Sequence, residues 1–280
     1  LPSALGMNKA VQKDWMMDKG YPGPKYLRLT KDQWANDPRG FYENAKDQVG
    51  FPLVVKSANQ GSSIGVNIVK EADFSIFREA VNNSLFETEI RAEEWGQMDQ
   101  VQFIRDLSDI RSSLGFPIIM DNQLIFHPEA ALEFLNKGFE TKSIIRLQAV
   151  RGELEVVVES MISGKEFSCI VVQDESGKVI ALPPTEIAKS TAFFDYKSKY
   201  LPGLSRKITP IELPDVEIEK IRQSCSQLFT DFGFNVYARI DGFYTNEGEI
   251  FLNDPNTTSG MMPSSFFFHQ AAEIGLNPSQ

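Results

Sequence analysis

Residues Phe51 to Val69, FPLVVKSANQGSSIGVNIV, hold two short apolar runs separated by a lysine and a Gly/Ser-rich turn. Short apolar runs bounded by turn residues read as buried strands, so the pattern predicts strands over Leu53 to Lys56 and Gly65 to Val69. Upstream, the apolar spacing predicts a helix from about Met7 to Lys19, closed by Gly20 and stopped by Pro22 and Pro24. A strand over Tyr26 to Leu29 follows, then Thr30 as a helix N-cap, and a helix through FYENAKDQV that ends at Gly50. Downstream, EADFSIFREAVNNSLF repeats its apolar residues at helical spacing.

From about Asn83 to Val150 the chain is charged and dotted with aromatics. It is expected to be an inserted helical stretch, with helix signals at MDQVQFIRDLSDIRSSLG and HPEAALEFLNKG, and no chemistry can be read from it. Strand patterns return in LEVVVESMI, EFSCIVVQ and GKVIALPPTEI, with ESGK as a hairpin turn. A helix over Glu217 to Phe232, strands in VYARIDGFYT and EIFLNDPN joined through NEGE, and a helix from about Ser264 to Ile274 complete the pattern. Strands with helices segregated beside them predict an α+β protein in two lobes.

Composition narrows the function. The chain has 280 residues, 42% of them hydrophobic, enough for a sizeable core. Its 28 Lys and Arg against 38 Asp and Glu leave a net charge of -10, which disfavours nucleic acid as a partner. Cys169 and Cys225 form no CxxC pair, and the two histidines, His127 and His269, are far apart, so neither a disulfide framework nor a zinc site is expected. No apolar run has the length of a membrane span and no signal-like stretch opens the chain, so a reducing, cytoplasmic setting and no membrane partner are expected. Either end reads as a cut: the first residue is Leu1, and the last helical pattern stops just before the final residue.

Four short stretches could carry chemistry. Lys56 ends an apolar strand and must send its ammonium to water, a carboxylate or a bound anion; NQGSSIG beside it supplies glycines, hydroxyls and backbone donors suited to a phosphate, although a plain turn fits the same residues. No GxxxxGK[ST] is present, which disfavours a P-loop. In YARIDGFYTNEGEIFLNDPNTTSGM, period two puts Arg239 and Asp241 on one face, and the next strand ends in Asp254 and Asn256. Two carboxylates and an amide oxygen form a hard donor set that suits Mg²⁺ already carrying phosphate oxygens, with Arg239 placed to meet developing negative charge; a salt-bridged surface pair is the alternative. In VVVESMISGKEFSCIVV an apolar strand ends in Glu159 and Glu166 opens the next, a hinge able to bind adenine and ribose or an ordinary hairpin. In FFDYKSKYLPG, Lys197, Lys199 and Tyr200 could close over a nucleotide or lie in a solvated loop.

The order of these stretches, with MNKAVQK ahead of them and SSFF behind, resembles the ATP-grasp superfamily and, within it, the D-alanine–D-alanine ligases. The resemblance covers nearly the whole chain outside the Asn83 to Val150 stretch. It implies an ATP-grasp fold of two lobes, each a mixed or antiparallel sheet with helices and an ATP cleft between them, with the first lobe over 1–158 and the second over 159–280. It implies an ATP-dependent, ADP-forming ligase that phosphorylates one amino acid's carboxylate for attack by the amine of a second, making D-alanyl-D-alanine for peptidoglycan precursors. By position, Lys9, Lys56 and Lys199 would hold ATP phosphates, with Ser62 and Ser63 in the covering loop. Glu159 and the backbone of Ser160 and Ile162 would meet adenine, and Glu166 would meet ribose. Asp241, Asp254 and Asn256 would bind two Mg²⁺, with Mn²⁺ able to substitute. Arg239 and the Gly260 amide would stabilise the oxyanion, Tyr200 would close the substrate pocket, and Ser265 would meet the carboxylate of the second amino acid. D-Alanine or related amino acids are the implied partners, and a homodimer is left open.

Four departures bear on these expectations. The family pattern E-x-N is here Asp254-Pro255-Asn256, one methylene shorter at the central ligand, and N-T-x-P-G is here NTTSG. The family's N-terminal domain, which contributes first-substrate contacts, is expected ahead of this chain. The Asn83 to Val150 stretch is longer than the usual connection, as lids and interfaces often are. Two other readings therefore stay open: an ATP-grasp ligase for a different carboxylate and amine, and a nucleotide-binding module with decayed activity.

Overall fold

The structure is a computed structural model and describes residues 2–109, 114–189, 205–262 and 264–276. The predicted first helix is α2 (Lys9–Asp18), which starts after Asn8, an N-cap whose Oδ1 accepts from the Val11 amide at 2.9 Å; a short helix that was not predicted, α1 (Pro2–Met7), precedes it. Strand β1 (Tyr26–Thr30) runs into Thr30, which caps α3 (Lys31–Asn36) in a reciprocal box with Gln33. Helix α4 (Pro38–Gln48) starts on a proline, whose missing N–H would have had no helical partner there. The apolar runs around Lys56 form β2 (Leu53–Ser57) and β3 (Val66–Val69), and α5 (Phe74–Leu85) follows.

The stretch expected to be helical is a small α+β unit instead. It contains β4 (Glu87–Arg91), α6 (Ala92–Trp95), α7 (Gln100–Leu107), β5 (Ile118–Met120), β6 (Gln123–Ile125), α8 (Pro128–Gly138) and β7 (Ile144–Ala149). The two helix signals are α7 and α8. Its strands form an antiparallel sheet in the order β4-β7-β5-β6 over a core that includes Trp95, Ile118, Met120, Leu135, Ile145 and Leu147. β5 and β6 have three residues each, too few to show a period in sequence.

After the insertion come β8 (Glu155–Ser160), β9 (Gly164–Gln173), β10 (Val179–Ala181), β11 (Thr185–Lys189) and β12 (Ser205–Ile208). Leu182-Pro183-Pro184 splits GKVIALPPTEI into β10 and β11, since proline cannot donate to a ladder. Then follow α9 (Asp215–Asp231), β13 (Tyr237–Thr245), β14 (Ile250–Asn256) and α10 (Phe266–Glu273). No helix among the described residues is long and apolar enough to cross a membrane.

The chain forms two compact units, Lys25–Met161 and the pair Leu1–Pro24 with Ile162–Gln280. The first contains the antiparallel sheet β1-β8-β2-β3, packed through Leu53, Val55, Val156 and Val158 on Phe77, Val81 and Leu85 of the neighbouring helix, together with the inserted sheet. The second contains the sheet β12-β11-β9-β13-β14, with β10 paired to β9. One face of this sheet packs Phe167, Cys169, Ala238 and Ile240 against Cys225 and Phe229 of α9; both cysteines are free, buried thiols. The division differs from the expected 1–158 and 159–280 mainly at the start: Met16 joins the α9 core, Trp15 packs edge-on against Phe232 at 4.2 Å, and the Tyr21 hydroxyl donates to Asp231 at 2.6 Å.

Candidate functional site

In the unit of residues 25–161, period two sends Leu53, Val55 and Ser57 of β2 into the core and leaves Lys56 on the opposite face. The β2–β8 register, Val54 opposite Glu159 and Lys56 opposite Val157, places Lys56 and Glu159 diagonally on that face. Their side chains form an ion pair, 12% and 3% exposed. An ion pair this deep gives little net stability, because desolvation of both groups offsets the attraction. Its cost makes sense where a further charged group binds.

The loop after Lys56 has the backbone expected of an anion cradle. Ser62 and Ser63 both take φ of 54°, and Gly65 takes φ of 68° where a Cβ would run into the Ser57 hydroxyl. One arm of this loop is held by a residue that sequence reasoning did not single out. Glu153, 4% exposed, accepts at Oε2 from the Asn59 amide (3.2 Å) and Asn59 Nδ2 (3.0 Å), and at Oε1 from Gln60 Nε2 (2.8 Å). At the hinge, the Ser160 amide donates to the Lys25 carbonyl at 2.9 Å. Met161 N likewise donates to Pro52 O at 3.0 Å.

In the other unit, Arg239 and Asp241 share a face of β13, as the two-residue period requires. Arg239 clasps the Asp241 carboxylate bidentately, Nε to Oδ1 at 3.0 Å and Nη2 to Oδ2 at 2.9 Å, and the Ser168 hydroxyl on β9 donates to Oδ1 at 2.7 Å. β14 pairs Asn256 with Arg239 but Asn253 with Asp241, so one extra residue bulges there, and Asp254 sits in the bulge at φ of 43°. A bulge re-aims a side chain. Asn256 Nδ2 donates to the Asp254 carbonyl at 2.5 Å, and Asn253 Nδ2 donates to Asp254 Oδ2 at 3.3 Å. The buried Lys13 on α2 reaches Asn253 Oδ1 at 3.3 Å; Lys9, one turn earlier on the same helix, opens it.

Burial pushes the Asp241 carboxyl above the ordinary carboxylate range, Arg239 and Ser168 act to lower it, and the charge of Asp254 pushes it up again. The Asp241 carboxylate, whose proton affinity the charge of Asp254 raises, forms with Asp254 and the amide side chain of Asn256 a donor set that a divalent hard cation would relieve. Among the described residues there is no cluster of three or more His, Cys, Asp or Glu, so such an ion would take the remaining ligands from elsewhere, as phosphate-carrying Mg²⁺ does.

Beyond β14, nothing among the described residues lies within 4 Å of a Cβ built on Gly260, which leaves its backbone approachable. Ser265 stands at the N-cap of α10, and its hydroxyl is buried with no hydrogen-bond partner among the described residues, in a position suited to an anion. Glu166 lies near the start of β9 opposite Phe243, with one carboxylate oxygen buried, and Ile162 precedes that strand. Lys197, Lys199 and Tyr200 lie outside the described residues.

The structure thus joins Lys56 with Glu159 beside the serine loop in one unit, and Arg239, Asp241, Asp254 and Asn256 in the other. Sequence reasoning missed Glu153, Lys13, Asn253 and Ser168. Only Lys13 carried a signal, as the second lysine of MNKAVQK on the helical face of Lys9.

The family model described as D-ala D-ala ligase C-terminus matches residues 15–120 and 136–280. The chain belongs to this family. The unmatched stretch between those spans falls inside the insertion, over β6 and most of α8. A D-alanine–D-alanine ligase of Bacillus cytotoxicus is 26% identical over 95% of this chain and 55% of its own length. Two solved structures extend the likeness. A Bacillus anthracis D-alanine–D-alanine ligase complexed with ATP is 25% identical, with a TM-score of 0.56 over 100% of this chain and 65% of its own. The VanG D-Ala:D-Ser ligase of Enterococcus faecalis, 22% identical, has a TM-score of 0.67 over 100% of this chain and 60% of its own, and supports the fold. The ATP-grasp α+β architecture expected from the sequence is therefore the one this D-ala D-ala ligase C-terminus domain adopts. The chain spans only about 55% to 65% of the length of these three relatives.

Proposed function

We propose that this chain is the ATP- and metal-binding part of an ATP-dependent ligase that joins D-alanine to a second D-amino acid, D-alanine being the leading candidate, through an acyl-phosphate intermediate. The observation that carries the reading is the Asp241–Asp254 carboxylate pair on a bulged hairpin, its Asp241 member clasped by Arg239. Phosphoryl transfer needs positioning and charge neutralisation more than covalent help from the protein, and these residues supply both.

Mg²⁺, with Mn²⁺ as its substitute, would neutralise triphosphate charge and align the transferred group. Asp241, Asp254 and Asn256 are the residues proposed to hold it. Lys9 and Lys56 bind phosphate oxygens, and Ser62 and Ser63 cover them from the loop. Glu159 orients the Lys56 ammonium through their ion pair and lies at the adenine edge, while Glu166 accepts from ribose hydroxyls. Arg239 stabilises the negative oxygen that develops when the amine attacks, together with the Gly260 amide. The buried Ser265 hydroxyl, at the start of α10, donates to the carboxylate of the second amino acid. Lys199 and Tyr200 complete the proposed set.

The test is ADP release by the intact protein with ATP and Mg²⁺, offered D-alanine, D-serine or L-alanine singly and in pairs. Stimulation by D-alanine supports the reading; stimulation only by other amino acids moves it to a different carboxylate and amine. Asp254 favours a second reading, since its short carboxylate reaches less far toward a bridging metal. Binding of Mg-ATP without any ADP release would support that reading, a nucleotide-binding module without turnover.

A further inference from the structure

We propose that Glu153 is the positioning residue of the nucleotide loop, holding its Asn59–Gln60 arm so that Ser62 and Ser63 present themselves to phosphate; this rests on the reading above. A carboxylate this deeply buried needs compensation for lost water, and among the described residues it receives it from three loop donors: the Asn59 amide, Asn59 Nδ2 and Gln60 Nε2. Both carboxylate oxygens are used. The opposite arm closes on itself, with Ile64 N donating to Gly61 O at 3.0 Å and Ser57 N to Gly65 O at 3.0 Å. The four residues from Gly61 to Ile64 thereby form a turn flanked by the side-chain clasp on Asn59 and Gln60 and by the Ser57–Gly65 backbone bond.

Glu153 is itself rigidly placed. It follows the inserted sheet, where Ala149 N donates to Phe86 O at 3.0 Å and Glu153 N to Leu85 O at 3.3 Å, so the strands entering and leaving the insertion are tied together. At Gly152 a Cβ would come within 3.1 Å of the Leu85 carbonyl, which leaves the chain little freedom to swing. The clasp therefore reaches the loop from the root of the insertion. Two consecutive serines at positive φ are a conformation that does not persist without such support. A phosphate loop held in advance binds more tightly than one that must be ordered on binding.

The experiment compares the intact protein with Glu153→Gln, which keeps the shape but turns an N–H toward Asn59 or Gln60. Two quantities are read: Mg-ATP affinity by calorimetry, and amide hydrogen exchange over Asn59 to Ile64 without nucleotide. The expected result is affinity weaker by about tenfold and exchange faster by about tenfold, the effect of losing one charge-assisted hydrogen bond. Should Glu153→Gln unfold, Gln60→Ala at a half-exposed position serves the same two readouts with a smaller shift. The double variant is expected to be no weaker in Mg-ATP affinity than Glu153→Gln alone, because both act through one clasp. Unchanged exchange in a folded Glu153→Gln, or additive losses in the double variant, overturns the proposal. Faster exchange with unchanged affinity overturns it as a positioning role, leaving a purely structural one. Absence of Mg-ATP binding by the unaltered protein overturns the nucleotide reading instead, and the exchange arm still decides the clasp.

Discussion

The inserted sheet and the sheet that carries Lys56 belong to the same unit yet bury different things. Between Glu87 and Ala149 the buried side chains among the described residues are all apolar, and the ion pairs Lys142–Asp121 (2.7 Å) and Arg146–Glu89 (2.9 Å) sit at the surface. The Lys56 sheet buries Ser57, Ser84, Glu153 and Glu159 as well as its aliphatic core. Apolar burial alone is enough to hold a small sheet with three helices. Buried carboxylates are a net burden on folding unless every oxygen is met, so their concentration in one of two neighbouring sheets points to ligand work there and scaffold work in the other.

The largest effect expected from breaking that contrast is at Lys56. Lys56→Ala leaves the Glu159 carboxylate buried without its ammonium and should cost about 3–5 kcal/mol in chemical unfolding, with Mg-ATP binding lost. The double variant Lys56→Met with Glu159→Leu should regain most of that stability and none of the binding. Recovery of both together would mean the pair serves only the fold. In the insertion the expectation is reversed: Leu135→Ala empties a fully buried site and should cost about 2–5 kcal/mol, with Mg-ATP affinity unchanged where the protein is folded. A parallel fall in affinity would show that the two sheets are not separable in function.

Ser168→Ala is the intermediate case. The hydroxyl is one of several groups holding Asp241, so its loss should cost about 1–2 kcal/mol and weaken Mg²⁺-dependent ATP binding more than metal-free binding. Equal weakening with and without Mg²⁺ would remove Ser168 from the support of the proposed metal ligand. Gln270 backs this strand from α10, accepting from Ile170 N at 2.8 Å and donating to Ser168 O at 2.7 Å, so the backbone of Ser168 stays in place when the hydroxyl goes.

What the sequence revealed followed chemical specificity. Lys56, Glu159, Arg239 and Asp241 were legible because each ends or interrupts an apolar run, where a charge must have a reason. Thr30 and Gly50 marked their helix ends through local capping rules that operate over three or four residues. Glu153 and Asn253 were not legible, since a buried polar group is defined by partners brought from far along the chain: 94 residues separate Glu153 from Asn59, and 240 separate Lys13 from Asn253. The strands β5 and β6 of the insertion failed for a different reason. Three-residue strands carry no period, and tertiary pairing with β7 decides their conformation.

The smallest expected effect tests the scaffold's surface charge. Asp121 and Asn122 form the β5–β6 turn at φ of 45° and 68°, values that Asn adopts as readily as Asp, so Asp121→Asn keeps the turn. Burial acts to raise the Asp121 carboxyl, but the Lys142 ammonium at 2.7 Å and the Arg146 amide at 2.9 Å outweigh it and hold the group below its ordinary range. A carboxyl lowered by folding stabilises above its unfolded value of about 3.9 and loses that contribution as pH falls through the folded one. Lys142 is 48% exposed, so solvent screens the pair and the gain at neutral pH should stay below about 1 kcal/mol. Urea unfolding of Asp121→Asn should therefore show a small deficit at neutral pH that closes at the acid end and shrinks in 1 M salt, where the screening length is about 3 Å. A deficit equal at both pH values would locate the effect in the turn itself, and the insertion would then depend on a polar contact that its apolar interior does not lead one to expect.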